Sequence, residues 1–216
     1  MRRLPLLRPL VGLSFVGMLL MASTAWPQPQ NSIGRVMALE GEVTVLRQGR
    51  FAPEPLALQG PVFQEDIIET GMASKVRITL IDTTVISLGA QSRLEMRRFP
   101  HDAREQTRTT RLTIAVGVFR TIVNKLMPSS TFEVTTPTAI AAIRGTDLMG
   151  EVTPNSTAIV VVEGTAMISN ARPTFRGIVT LMEGTGTTVT ADQSPTTPTR
   201  WSTSRIEALQ QATTVR

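Results

Sequence analysis

From residue 34 to residue 190, hydrophobic and polar side chains alternate with a period of two along short segments that turn residues separate. Successive side chains of a β-strand point to opposite faces, so this period predicts short strands that each bury one face. Threonine occupies many polar positions, and its β-branched side chain suits the solvent face of a sheet. The clearest predicted strands are 43–45, 76–80, 85–88, 112–114, 131–134, 158–162, 167–168 and 178–181. The pattern predicts an all-β domain without a helix in this span.

Glycine follows an acidic residue at the edges of three predicted strands. The pairs are Glu40-Gly41, Glu163-Gly164 and Glu183-Gly184, and Gly117 is a looser fourth example. Glycine permits a positive φ or a close backbone approach, as a chain needs where it turns a corner between stacked or wrapped strands. We therefore expect a β-solenoid-like or sandwich-like wrap of short strands. The irregular spacing of the pairs argues against a regular β-helix.

The first 25 residues have the pattern of a secretory signal. Arg2 and Arg3 precede an apolar run at residues 10–21, and the small residues Ser23 and Ala25 occupy the two positions that a signal peptidase reads. Cleavage near Ala25 predicts a periplasmic or secreted protein. An uncleaved membrane anchor is the alternative, although the run is shorter than the roughly 20 residues that a membrane span requires.

The remaining chain divides into a short linker at residues 26–33, the β domain at 34–190 and a polar tail at 191–216. Residues 191–199 have the composition of a linker that is too poor in apolar residues to pack. Beyond them, Ser204 is expected to cap a short C-terminal helix that runs through Gln211, with Ile206 and Leu209 as a weak apolar stripe.

Removal of the predicted signal changes the meaning of the overall charge. The chain carries a net charge of +5 and has a pI of about 11.1, values that are typical of nucleic-acid-binding proteins. Arg2, Arg3 and Arg8 lie in the predicted signal, and the other 191 residues hold 19 basic and 17 acidic residues, a net charge of +2. We therefore expect no nucleic-acid partner.

The composition lacks the residues of most catalytic sites. With no cysteine, no tyrosine and one histidine, the chain has no thiol nucleophile, no disulfide, no cysteine-type zinc site and no multi-histidine metal centre. The nucleophile-elbow, phosphate-loop and dinucleotide-glycine motifs are also absent. We expect no enzymatic activity, cofactor or bound metal. A polysaccharide lyase, which needs basic and acidic side chains in a long groove, is the enzymatic alternative, and the chain is short for it.

An arginine-rich segment surrounds a polar stretch that we interpret as a loop or hairpin tip. Residues 93–111 contain six arginines and three acidic residues, a net charge of +3. Such charges commonly protect a sheet edge from pairing with other chains. The alternative is a patch that contacts anionic envelope material, such as lipid phosphates or wall polymers. The candidate patch residues are Arg93, Arg97, Arg98, Arg104, Arg108 and Arg111.

Arg144-Gly145-Thr146-Asp147 is the most distinctive short cluster. In a structural interpretation Gly145 provides a bend, Arg144 pairs with a carboxylate or caps carbonyl groups, and Asp147 closes the turn with its own side chain. In a functional interpretation Arg144 binds an anionic group of a partner or glycan.

This cluster ends a longer segment that resembles the signature of the FecR domain family. The segment runs through a strand, a Thr-Pro turn, a small apolar run and Arg-Gly-Thr, and reads FEVTTPTAIAAIRGTDL at residues 132–148. Residues 66–74, 80–82 and 88–92 are similar to earlier family motifs. Glu65 and Thr83 stand where the family usually has glycine. The candidate family-motif residues are Thr136, Pro137, Arg144, Gly145, Thr146 and Asp147.

The resemblance covers residues 34–190 and implies an extracytoplasmic β-rich module. Signalling members of the family carry a cytoplasmic anti-sigma segment and a membrane helix, and this sequence shows neither. We therefore predict a non-catalytic binding or signalling-accessory module of the cell envelope, with an envelope protein or a cell-wall polymer as its partner. Any contact with the membrane is expected to be peripheral. The alternative is a structural envelope protein that binds cell-wall or anionic polymer through exposed strands and the arginine-rich hairpin.

Overall fold

A computed structural model describes residues 32–98, 109–124 and 131–216, which form seventeen β-strands and one α-helix. The strands are β1 (Gly34–Glu40), β2 (Val43–Leu46), β3 (Glu54–Pro55), β4 (Pro61–Val62), β5 (Ile67–Thr70), β6 (Lys75–Leu80), β7 (Val85–Leu88), β8 (Arg93–Arg98), β9 (Thr109–Val123), β10 (Thr131–Thr135), β11 (Ala139–Ile143), β12 (Thr146–Val152), β13 (Ser156–Glu163), β14 (Thr165–Asn170), β15 (Ile178–Met182), β16 (Thr185–Thr190) and β17 (Thr199–Arg200), and the helix is α1 (Thr203–Thr213). The predicted all-β class and the short C-terminal helix are confirmed. The predicted signal and the polar stretch at 99–108 lie outside the described residues.

Strand β9 belongs to two parts of one continuous hydrogen-bonded sheet. Its first part, to Val116, pairs with β8 and, in parallel, with β10. Its second part, from Gly117, pairs antiparallel with β7 and β12. The first half-sheet therefore has the order β4-β1-β6-β7-β9-β12-β13-β16-β17, and the second half-sheet has the order β3-β2-β5-β8-β9-β10-β11-β14-β15. Apart from β9 with β10, the described strand pairs are antiparallel.

Both half-sheets contribute side chains to one hydrophobic core. Phe119 of the first half-sheet and Phe132 of the second are fully buried members of the same cluster, together with Ile86 and Leu94. Burial of each such side chain contributes about 1.5–3 kcal/mol relative to exposure. Because the chain has no cysteine, this core and the strand hydrogen bonds hold the fold together without any disulfide.

The acidic-glycine pairs mark corners at which the chain changes from one half-sheet to the other. Gly41 has a φ of 72° between β1 and β2, Gly164 has a φ of 90° between β13 and β14, and Gly184 has a φ of 75° between β15 and β16. Gly117, with a φ of 105°, bends β9 itself. The predicted role of these glycines as corners is confirmed.

Two serines connect neighbouring corners through hydrogen bonds. The Ser74 Oγ accepts a 2.9 Å hydrogen bond from the N–H of Glu42, and the Ser92 Oγ accepts a 3.0 Å hydrogen bond from the N–H of Val118. Each serine ends a segment of the form Gly-x-x-Ser, at 71–74 and 89–92. Because each serine contacts the residue after a corner glycine, the two corners are built in the same way.

Glu65 and Thr83 keep a backbone conformation that suits glycine. Their φ angles are 65° and 67°, in the left-handed region. A residue with a Cβ costs roughly 1–2 kcal/mol more than glycine in this region. The two departures from the family pattern therefore preserve the turn geometry and carry a strain that glycine would avoid.

The C-terminal tail is packed on the fold, contrary to the predicted linker. Pro195 is buried, and the Asn170 side-chain amide donates to the carbonyl oxygens of Thr190 and Gln193 at 2.8 and 2.6 Å. Composition alone missed this contact because side-chain amides and hydroxyls elsewhere in the fold satisfy the backbone of the tail.

Helix α1 covers the outer face of the first half-sheet. Ser202 caps it by accepting a hydrogen bond from the N–H of Arg205, so the predicted cap at Ser204 is wrong by two residues. Leu209 and Trp201 pack against outward-facing apolar side chains of β12 and β13, which form a second hydrophobic cluster with them. Within residues 32–98, 109–124 and 131–216, no helix is long and apolar enough to cross a membrane.

Substitution of Gly117 by alanine tests the corner in β9. A Cβ at this position would lie 2.1 Å from the Ser92 Oγ and 2.4 Å from the Ser92 Cα, in addition to the strain of the positive φ. We expect Gly117→Ala to lower the free energy of unfolding by more than about 3 kcal/mol in urea denaturation. Gly49→Ala is the matched control, because Gly49 also has a positive φ but has no atom within 4 Å of the added Cβ. Its expected cost is about 1 kcal/mol. Equal costs for the two variants would contradict the packing of the corner against Ser92.

Candidate functional site

The two ends of the family signature lie at opposite ends of strand β11. At the Thr-Pro end, the buried Thr136 hydroxyl accepts from the N–H of Ala139 at 2.9 Å and shares a 2.7 Å hydrogen bond with the Thr157 hydroxyl. Thr138 donates to the same Thr157 oxygen at 2.7 Å, while Pro137 is exposed in the turn. This end of the signature stabilises a turn through buried hydroxyl groups.

At the other end, Asp147 binds the neighbouring strand and does not close its own turn. The Arg120 Nε and Nη2 donate to the Asp147 Oδ1 and Oδ2 at 3.0 and 2.6 Å. The hydrogen bond to Asp147 raises the pKa of the Arg120 guanidinium, which therefore remains charged. Gly145 provides the predicted bend with a φ of 60°, and the Thr146 hydroxyl donates to the Thr165 carbonyl at 2.7 Å. The expectation for Gly145 is confirmed, and that for Asp147 is wrong.

Arg144 differs from Arg120 in its surroundings. It is exposed, and among the residues that the structure describes no carboxylate lies within ion-pair distance of it, so the expected pairing is not observed. It lines a shallow groove of about 270 Å³ at one end of strands β10, β11 and β14. The groove, called the Arg144 groove below, is lined by Thr131, Ala142, Ile143, Arg144, Thr165, Ala166 and Met167.

The Arg144 groove opens onto apolar side chains that the sequence analysis did not identify. Met167 is 52% exposed and lies opposite Thr180 in the pairing of β14 with β15. Ile178 and Met182, two residues on either side of Thr180, are 66% and 65% exposed. Strand β15 has apolar residues on both faces. The lack of hydrophobic–polar alternation at 178–182 is the feature of the sequence that could have identified this apolar surface. An unpaired cation beside exposed apolar side chains suits an amphipathic anionic ligand.

A second depression of about 480 Å³ lies on the other side of Gly145. Asp147 and Glu163 contribute carboxylates to it, and Asn124 contributes an amide. The Asp147 carboxylate is already engaged by Arg120. Across the described ranges, no three histidine, cysteine or acidic residues are placed to hold a metal ion.

Three members of the arginine patch, Arg93, Arg97 and Arg111, face carboxylates on the same sheet surface. Arg93 pairs with Glu69 and lies 3.5 Å from Glu95, and Arg97 lies 2.6 Å from Glu95. Arg111 likewise forms a 2.6 Å ion pair with Glu133. The backbone of Arg98 lies opposite Arg111 in the β8–β9 pairing, whereas Arg104 and Arg108 lie outside the described residues. The three arginines Arg93, Arg97 and Arg111 are therefore balanced by three carboxylates, those of Glu69, Glu95 and Glu133.

Asp66 is the most buried carboxylate in the described chain and belongs to a separate cluster. It is 1% exposed, its Oδ2 accepts from Arg47 at 2.5 Å and from the N–H of Phe63 at 2.7 Å, and its Oδ1 has no protein partner. Burial raises the pKa of Asp66 by more than these two donors lower it. Arg47 also lies 5.0 Å from the centre of the Phe63 ring. This cluster fastens the β2–β3 hairpin to the turn before β5.

Comparison with protein families confirms the resemblance noted in the sequence. The model of the FecR protein family matches residues 66–167, so this part of the chain is a FecR domain. The match begins at Asp66, the buried carboxylate described above, and ends at Met167 in the Arg144 groove. None of the curated proteins matches the chain.

Solved structures support the same fold. Two crystal structures of a candidate anti-sigma factor from Parabacteroides distasonis ATCC 8503, at 1.65 and 2.50 Å resolution, each superimpose with a TM-score of 0.53, at 16% and 15% identity. Each match covers 67% of this chain and 64% of that protein, so this chain spans less than two thirds of its length. At this identity the likeness concerns the fold alone.

Substitutions of Arg120 and Arg144 should have different effects on the free energy of unfolding, because Arg120 pairs with a buried carboxylate and Arg144 is exposed. Arg120→Ala leaves the Asp147 carboxylate, which is 10% exposed, without its partner. We expect it to lower the free energy of unfolding by about 2–3 kcal/mol. Arg144→Ala should change it by less than about 0.5 kcal/mol, because Arg144 is exposed and unpaired. Urea denaturation at pH 7 measures both, and a larger loss for Arg144→Ala would contradict the assignment of Arg144 as a free surface cation.

The raised pKa of Asp66 predicts a pH dependence of stability. A carboxyl group whose pKa is higher in the folded state favours folding most at a pH below its unfolded pKa of about 4, and this contribution is lost as the pH rises through the folded pKa. Relative to Asp66→Asn, the wild-type protein should therefore lose stability as the pH is raised above about 4. Urea denaturation of both proteins between pH 3 and pH 8 measures the difference. A difference that grows in favour of the wild type with rising pH would show that the Arg47 pairing outweighs burial.

Proposed function

We propose that this chain is a non-catalytic, extracytoplasmic binding module with a signalling-accessory role, and that the Arg144 groove is its binding site. The observation that carries the proposal is the exposed, unpaired Arg144 beside the half-exposed Met167. On the same half-sheet Arg93, Arg97 and Arg111 form ion pairs with Glu69, Glu95 and Glu133, whereas Arg144 has no carboxylate partner among the described residues. Helix α1 covers the outer face of the first half-sheet, which leaves the outer face of the second half-sheet accessible.

The chemistry of the groove indicates what a partner must offer. A guanidinium group binds a carboxylate through two parallel hydrogen bonds, which gives orientation as well as affinity. Met167 offers a flexible apolar surface that adapts to different side chains. The best-fitting ligand is therefore a segment of a partner protein that presents a carboxylate next to an apolar side chain.

The FecR domain at residues 66–167 and the fold shared with a candidate anti-sigma factor support the signalling-accessory part of the proposal. Binding at Arg144 would then report on the state of an envelope partner. The passage of the chain between two half-sheets around one core supports the sandwich-like wrap, which we propose as the detailed architecture. The signal-like pattern of residues 1–25 supports export to the periplasm or beyond.

Affinity capture with matched variants tests the site. The wild-type protein, Arg144→Glu and Met167→Asp are immobilised and incubated with a solubilised envelope fraction, and Arg172→Glu, which changes an exposed arginine outside the groove, is the control. We expect the wild type and Arg172→Glu to retain the same envelope protein and both groove variants to lose at least tenfold of it, while urea denaturation shows unchanged stability. Equal capture by Arg144→Glu would contradict the site. Salt-sensitive pelleting with peptidoglycan or anionic vesicles, without a protein partner, would instead support polymer binding through the arginine-rich hairpin.

A further inference from the structure

Strand β15 is an edge of the sheet that lacks the protection found at the other edges. Among the described strands, β14 is the one with which it forms a hydrogen-bonded ladder. It is five residues long, and its sequence, IVTLM, contains no charge, proline or glycine. An exposed edge of this kind is a template for another strand, and proteins usually protect such edges with short strands, charged residues or proline.

The other edges of the same sheet carry these protections. Strands β3, β4 and β17 are two residues long, and they contain Pro55 with Glu54, Pro61, and Arg200 respectively. Among the described edge strands, β15 is therefore the one without a protecting charge, proline or short length. We propose that β15 pairs antiparallel with β15 of a second copy of this chain, which extends the second half-sheet across a two-fold axis.

The side chains of β15 are complementary to themselves in this arrangement. If the axis passes beside Thr180, Ile178 lies opposite Met182 of the other copy, Thr180 lies opposite its own counterpart, and Val179 lies opposite Leu181. Every apolar residue then meets an apolar residue on the same face, and such cross-strand pairs stabilise antiparallel sheets. Ile178 and Met182, now 66% and 65% exposed, would be covered.

Charges at the two ends of β15 favour the same orientation. Arg176 precedes the strand and Glu183 follows it, and both are exposed. An antiparallel pair brings Arg176 of each copy next to Glu183 of the other, whereas a parallel pair would place like charges together. The charge pattern therefore identifies a second copy in antiparallel orientation as the occupant.

Backbone hydrogen bonding is consistent with a short pairing. Both backbone groups of Met182 bond to the Thr185 hydroxyl, the N–H at 2.9 Å and the carbonyl at 2.7 Å. Because backbone groups alternate in direction along an antiparallel strand, those of Thr180 and Ile178 also point away from β14. The Met182 groups are already engaged by Thr185, so the backbone hydrogen bonds between copies form at the Thr180–Thr180 pair, and the Ile178–Met182 pairs contribute side-chain contacts only. One five-residue strand on each side makes a small interface, so we expect a weak dimer that forms with rising concentration. This inference concerns the sheet edge and holds whether or not the Arg144 groove binds a partner.

Sedimentation velocity tests the dimer. We expect the purified wild-type protein to change from monomer to dimer as its concentration rises from about 1 µM to about 1 mM. Thr180→Lys places two like charges opposite each other at the axis and should weaken dimerisation at least tenfold. Thr165→Lys is the matched control, because Thr165 is exposed on the same face of β14 but is one strand away from the edge. It should leave dimerisation unchanged.

Charge exchange and cross-linking test the orientation. Arg176→Glu should weaken the dimer, and the double variant Arg176→Glu, Glu183→Arg should restore it. The chain has no cysteine, so Thr180→Cys introduces a single thiol that should form an intermolecular disulfide under mild oxidation, whereas Thr165→Cys should not. A monomer at every concentration, a dimer insensitive to Thr180→Lys, or equal cross-linking of the two cysteine variants would overturn the proposal. Loss of envelope-protein capture by the groove variants without any change in dimerisation would leave it standing.

Discussion

The fold depends on the bend of strand β9 at Gly117. The same strand gives its first part to one half-sheet and its second part to the other, so the two halves are joined by a continuous backbone. The bend requires a residue without a Cβ because Ser92 occupies the space beside it and bonds to the next N–H. With no disulfide in the chain, this covalent and hydrogen-bonded junction brings Phe119 and Phe132 into one core.

The outer faces of the two half-sheets are covered to different extents, and the candidate site lies where the cover is absent among the described residues. The apolar outer side chains of β12 and β13 are covered by Trp201 and helix α1. On the other half-sheet, ion pairs such as Arg111 with Glu133 make the surface polar around β8, β9 and β10. Neither the helix nor these ion pairs extend to β14 and β15. Exposed apolar side chains and Arg144, which has no carboxylate partner among the described residues, therefore lie together there.

Local pattern predicted the elements well, because alternation and glycine act over a few residues. The segment at 85–88 is β7 as predicted, and the corner glycines Gly41 and Gly164 have the expected positive φ. The partners of charged side chains were predicted poorly, since they depend on strand pairing. Asp147 was expected to act within its own turn, yet its partner Arg120 is 27 residues away in sequence and becomes its neighbour only through the β9–β12 ladder.

The sequence by itself determined the all-β class, the corners and the family resemblance. These follow from side-chain periodicity and from the conformational freedom of glycine, which are properties of short segments. Only the tertiary structure decided that, among the described residues, Arg120 has a carboxylate partner and Arg144 has none, that the polar tail packs, and that β15 is an edge of the described sheet. Each of these depends on which distant strands become neighbours, and the burial of many side chains at once in a common core selects that arrangement.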